Sequence, residues 1–214
     1  MYPVRPPALL RPMLPGATWA MPADGRAVYL TFDDGPEPQV TPWVLDRLAQ
    51  AGARASFFCI GRNAARHPAI MQRTRAEGHA VGNHTWDHAN GWRTDHIAYL
   101  RQVLRCQPLT GTTLFRPPYG RITPGQARAL SRRFRLVMWD VLSGDFDTAI
   151  DPHRCARNVL DHVRPGSIVV FHDSRKAWPR LRQALPLVLD RLNADGWSMR
   201  ALPGTGAGIT PGSR

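Results

Sequence analysis

Lysine and glutamate are almost missing from this chain of 214 residues: Lys176 is the only lysine, and Glu37 and Glu77 are the only glutamates. Its 28 basic side chains are otherwise arginine and its 16 acids otherwise aspartate, giving a formal net charge of +12. A skew that complete reflects composition as much as function. Cysteine is scarce as well. Cys59, Cys106 and Cys155 are odd in number and widely spaced, which excludes a disulfide framework and any CxxC metal or redox pair and leaves three small buried residues. No apolar run approaches the roughly 18 residues that a membrane-spanning helix needs. The first 26 residues carry early arginines, but prolines interrupt every apolar segment, so they do not read as a signal peptide. That favours a cytoplasmic location, with the cell envelope as the alternative.

What is present is a globular composition, 43% hydrophobic and 21% charged, which excludes disorder and allows one sizeable core. Strong basicity first suggests an anionic partner such as nucleic acid. The arginines recur along the whole chain, however, and the densest group, Arg132, Arg133 and Arg135, is short and lacks interleaved aromatics, which argues against nucleic acid.

Short apolar runs at 27–32, 55–58, 79–82, 113–116, 136–139, 167–171 and 197–201, bounded by Gly, Pro or Asp, read as strands. Helical stretches lie between them, opened by Thr41 with Pro42, by Asn63 with Pro68 nearby and by Thr123 with Pro124, and closed at Gly52 and Gly78. Cys155, Val159 and Val163 form one apolar stripe, and Leu181, Leu185, Val188, Leu189 and Leu192 another; both read as core. Strands alternating with helices imply parallel pairing through right-handed crossovers, hence an open doubly wound sheet or a β/α barrel. Residues 1–26 read as an irregular Pro-rich arm, 27–203 as a single domain and 204–214 as a flexible tail.

The polar residues fall at the ends of these strands: Asp33-Asp34, then His84 and His88, then Arg116-Pro117-Pro118-Tyr119-Gly120, then Asp140, Asp145 and Asp147, then His172-Asp173. In parallel α/β architectures the loops beyond the strands' carboxyl ends share one rim, so these groups should converge. Each set has a plainer reading. Asp33 and Asp34 precede Gly35-Pro36 and are ordinary turn formers, or else diverge so that one carboxylate binds a metal and the other stays free as a base. His84 and His88 are near enough to grip one cation, although chance also supplies such pairs. Two imidazoles and a carboxylate suit Zn²⁺ and admit Co²⁺, Ni²⁺ or Fe²⁺, with positions left open for water and substrate. His172 ends an apolar strand as a hydrogen-bonded structural residue or as a proton donor whose tautomer one of the nearby aspartates holds. Arg116 is a surface charge or the partner of Asp33, and the two prolines before Tyr119 stiffen a loop suited to a fixed oxyanion donor.

Taken in order, TFDDGP, HTWDH, RPPYG, Asp145-Phe146 and VVFHD resemble the polysaccharide deacetylase family, also called the NodB-homology or carbohydrate esterase family 4, over about residues 27 to 203. The resemblance implies a distorted (β/α)7 barrel, a divalent metal, usually zinc, and removal of acetyl groups from N-acetylated sugars or occasionally O-acetylated polysaccharides. It implies that Asp33 is the base and that Asp34, His84 and His88 are the metal ligands. Arg116 would hold Asp33, Tyr119 would offer its backbone N–H to the oxyanion, and Asp145 would tune His172 as the acid that protonates the leaving sugar nitrogen. Family members often carry tryptophan beside the tuning aspartate and leucine two residues before the acid; here these are Phe146 and Val170, both apolar and able to line an acetyl-sized pocket. Two other readings stand beside this one: a deformylase or other small-amide or ester hydrolase on a lipid-linked sugar or metabolite, and a non-catalytic module binding anionic polymer.

Overall fold

The computed structural model describes residues 3–204, so most of the expected tail, from residue 205, lies outside the described residues. Among the described residues, eight strands are interspersed with helices: β1 (Ala27–Asp33), β2 (Ser56–Cys59), β3 (Ala80–Asn83), β4 (Leu114–Phe115), β5 (Arg135–Leu136), β6 (Val141–Leu142), β7 (Ile168–His172) and β8 (Ser198–Met199). The helices are α1 (Thr41–Gln50), α2 (Gly61–Arg66), α3 (Pro68–Ala76), α4 (His96–Thr110), α5 (Pro124–Leu130), α6 (Pro152–Leu160) and α7 (Trp178–Ala194). Pairing runs β5-β4-β3-β2-β1-β7-β6, parallel throughout, and β8 joins the first residues of β1. This seven-strand path with its surrounding helices is the distorted β/α barrel expected from the sequence.

β1 is buried along its whole length, which is why it reads as a continuous apolar run rather than an alternating one. In its middle, Phe32 stacks on Phe57 of β2 at 5.1 Å and on Phe171 of β7 at 5.8 Å, its register partners on either side. Each such ring contributes about 2–3 kcal/mol by leaving water. The stripes on α6 and α7 pack against the same core, and all three cysteines are buried and free.

Two local expectations fail for reasons that matter to the site. Thr41 does not cap α1; Val40 holds the cap position, and the Thr41 hydroxyl lies 2.5 Å from Asp173 Oδ2 instead. Asn63 lies inside α2 and donates to the Asp34 carbonyl at 2.9 Å. Thr123, by contrast, forms a full capping box with Gln126. The run at 136–139 leaves the sheet after Leu136, and the two-residue strand β6 follows where none was expected.

β5 and β6 are the two ends of the sheet, and the N-terminal stretch runs along both. The Thr18 amide donates to the Leu136 carbonyl and the Met138 amide to Thr18, each at 2.8 Å, while the Leu142 amide on β6 donates to the Val4 carbonyl at 2.8 Å. Between these contacts, Arg5 Nη2 donates to both oxygens of the buried Asp140 at 2.9 and 3.0 Å, joined by Arg164 at 2.9 Å, the Ser167 hydroxyl at 2.7 Å and, more loosely, Arg11 at 3.5 Å. Burial opposes the Asp140 charge, but these donors outweigh it and lower its pKa.

Candidate active site

Parallel strands deliver their polar ends to one rim. Asp33 closes β1 and stands in register with His172 at the end of β7. The first of three linked clusters is an ion pair. Arg116, fully buried just beyond β4, donates through Nη1 to Asp33 Oδ1 and to the Thr31 hydroxyl, both at 2.7 Å. Its remaining nitrogens are spent on the carbonyls of Val137 and Met138, and its Cζ lies 4.1 Å from the Phe58 ring centroid. A guanidinium satisfied on every side has one orientation, and it fixes the Asp33 carboxylate in turn. The second Asp33 oxygen has no protein partner among the described residues.

The second cluster is Asp34, His84 and His88, each offering an atom within 4.8 Å of the others. His84 Nδ1 lies 2.8 Å from the Arg116 carbonyl, and burial pushes its pKa down to about 4. The ring is therefore neutral at pH 7, donates from Nδ1, and leaves the Nε2 lone pair 3.8 Å from Asp34 Oδ1. His88 Nδ1 lies 3.1 Å from the Tyr119 hydroxyl oxygen, and with Nδ1–H donating there its Nε2 lone pair sits 3.1 Å from the same Oδ1. That oxygen is buried and accepts no hydrogen bond. Burial works against its charge, and with both of these rings neutral it is the charged His172 that favours the ionised Asp34 carboxylate. One carboxylate and two imidazole nitrogens converging with no donor among them is an arrangement that a divalent cation fits.

The third cluster pairs His172 with Asp145. Asp145 is fully buried; its Oδ1 lies 2.7 Å from His172 Nδ1 and its Oδ2 accepts the His172 amide at 2.7 Å. Burial alone would lower the His172 pKa, but the Asp145 charge and hydrogen bond prevail and raise it to about 9. The other aspartates after β5 do other work: Asp140 holds the N-terminal stretch, and Asp147 accepts the Ala149 amide in its own turn.

Backbone conformation supports the three clusters. The non-glycine residues with positive φ among the described residues are Asp34 (84°), Thr85 (64°), His88 (60°) and Tyr119 (60°), all within three of the five motifs that meet at the rim. Each such conformation costs about 1–3 kcal/mol and persists only where its surroundings impose it. One such restraint was invisible in the sequence: buried Asp173 accepts the Gly35 amide at 3.0 Å while also meeting Thr41. Burial, reinforced by the Asp34 charge, raises Asp173 to about 8. The side-chain link from Tyr119 to His88 has no local signal either, since the sequence points only to the backbone of Tyr119 on its proline-stiffened loop.

Asp33, Asp34, His84, His88, Tyr119 and His172 line one cavity of about 680 Å³, with Trp139, Leu142, Phe146 and Val170 supplying its apolar wall. Residues 20–136 match the polysaccharide deacetylase family. The chain belongs to that family. A polysaccharide deacetylase relative from Bacillus cereus, named peptidoglycan-N-acetylglucosamine deacetylase, is 34% identical over 160 residues, covering 72% of this chain and 58% of its own. The chain therefore spans little more than half of that relative's length. A chitooligosaccharide deacetylase from Azorhizobium caulinodans is 33% identical over 196 residues, covering 83% of this chain and 93% of its own. A crystal structure of a peptidoglycan N-acetylglucosamine deacetylase superposes with a TM-score of 0.81 at 31% identity, covering 88% of this chain and 91% of that one. A divalent metal is a general property of polysaccharide deacetylases, and Asp34, His84 and His88 form the group of possible ligands among the described residues.

Proposed function

We propose that the protein hydrolyses the acetamide of N-acetylated sugars of the N-acetylglucosamine type, in cell-envelope glycan or chitooligosaccharide, releasing acetate and a free amine. What carries this reading is the meeting, on one rim, of a carboxylate held by a buried arginine, a three-ligand cluster and a histidine charged by a buried aspartate. Asp34, His84 and His88 would hold the cation, with Zn²⁺ the best match to an N₂O set and Co²⁺, Ni²⁺ or Fe²⁺ as substitutes. When bound, such a cation supplies electrophilic charge and acidifies water.

The remaining chemistry belongs to the chain. Asp33, with one oxygen committed to Arg116, offers its other oxygen to take the proton of the attacking water. Tyr119 presents its backbone N–H toward the oxyanion from a turn held at φ 60°. His172 is charged at neutral pH, keeps its Nδ1 proton on Asp145 and gives its Nε2 proton to the departing nitrogen. Leu142, Val170 and Phe146 give the acetyl methyl an apolar seat.

Acetate release from N-acetylglucosamine oligomers, peptidoglycan fragments and acetylated xylan, with Zn²⁺ or Co²⁺ added, tests the proposal. Asp33→Asn should abolish turnover and keep the metal; His84→Ala should lose both. Activity surviving both substitutions would sink the assignment.

A further inference from the structure

The cavity that holds the site is also lined by two basic side chains, Arg121 and Lys176, and neither meets a carboxylate among the described residues. Arg121 lies instead between two aromatic rings, its guanidinium carbon 5.2 Å from the Trp92 centroid and 6.0 Å from that of Tyr119. The Lys176 ammonium lies 5.9 Å from the Phe146 centroid. Of the acids of the same cavity, Asp33 is engaged by Arg116 at 2.7 Å, and Asp34 stands between the two imidazoles as a candidate metal ligand. Arg175, next to Lys176 in sequence, shows the contrast: it is neutralised by Glu37 at 2.6 Å.

Trp92 and Tyr119 are 64% and 60% exposed, so a glycan crossing this rim meets aromatic surface together with uncompensated positive charge. The ring faces suit any sugar, whereas the cations distinguish among sugars. An uncharged oligosaccharide gains little from them, while a carboxylate accepts a forked pair from the guanidinium and a point charge from the ammonium. The cation expected on Asp34, His84 and His88 and the +12 charge of the chain bias the field at the cavity mouth the same way.

We infer that Arg121 and Lys176 form an anion subsite, and that the glycan processed here carries a carboxylate on a sugar adjoining the N-acetylated unit. This rests on the deacetylase reading above. The test compares two glycans of equal length, a peptide-free peptidoglycan tetrasaccharide with lactyl carboxylates and neutral chitotetraose, by kcat/KM for acetate release and by calorimetric binding to the zinc-loaded protein. The native chain should prefer the acidic glycan. Arg121→Gln and Lys176→Gln should each reduce that preference by about fivefold, chiefly through KM, with Arg121→Lys recovering part of it. Raising salt from about 50 to about 500 mM should erode the preference in the native chain. Equal or greater kcat/KM on chitotetraose, or a preference unchanged in both variants and in salt, overturns the subsite while leaving the deacetylase reading intact. Arg121-dependent binding of the acidic glycan with no acetate from either substrate supports the subsite and refutes the deacetylase reading.

Discussion

At the scale of single residues, the charge on His172 depends on Asp145, and this fixes a pH dependence. A histidine raised from 6.5 to about 9 is favoured in its protonated form by the fold. Its contribution to stability is therefore fully present below about 6.5, declines above it and is gone once the pH has risen through about 9. If His172 is the acid, acetate release should fall with it on the alkaline side. Asp145→Asn should move that fall down toward 6.5, as read from a pH profile of kcat and from the imidazole's NMR titration. Tyr119 acts on a different property. Its hydroxyl sets which nitrogen of His88 carries the proton, so Tyr119→Phe should weaken zinc binding by about tenfold, measured against a chromophoric chelator, while circular dichroism stays unchanged.

At the scale of elements, the turn after β1 is tied to the turn after β7. A Cβ at Gly35 would overlap the Asp173 carboxylate, which is buried and held by Thr41. Gly35→Ala should cost about 1–3 kcal/mol in thermal or denaturant unfolding and, by shifting Asp34, should also lower metal affinity. A substitution that lost stability but kept full zinc affinity would show the turn to be less rigidly coupled. Much of this level was legible in the sequence because its signals are local. Continuous apolar runs gave β1, β2, β3 and β7 to within a residue or two, and the order of polar residues after each strand placed Asp33, Asp34, His84, His88, Arg116 and His172 on one rim. What stayed hidden depends on partners distant in sequence. Thr41 looks like a helix cap until Asp173, 132 residues away, takes its hydroxyl. Val141–Leu142 is too short to show a period of its own and is a strand only because β7 lies beside it. Nothing in the spacing of Asp140, Asp145 and Asp147 says which one reaches His172; only the chain path between β6 and β7 decides that.

At the scale of the whole molecule, the N-terminal stretch is part of the barrel's construction. Asp140 gathers Arg5, Arg11 and Arg164 from both sides of the gap between β5 and β6. Asp140→Asn should lower stability by about 1–3 kcal/mol, a fall in Tm of roughly 2–12 °C for a domain of this size. Acetate release at a temperature where the variant stays folded should be close to native, since Asp140 touches none of the three rim clusters. The same stretch has a second consequence. A sheet that does not close on itself leaves a ladder of unpaired amides and carbonyls at each margin, and such margins recruit strands from neighbouring molecules. Here Val4 and Thr18 occupy those positions. A chain trimmed to begin after Thr18 should therefore expose both margins at once and self-associate, visible as a rise in light scattering with concentration. Residues that take no part in the chemistry would then be the ones that keep the protein monodisperse.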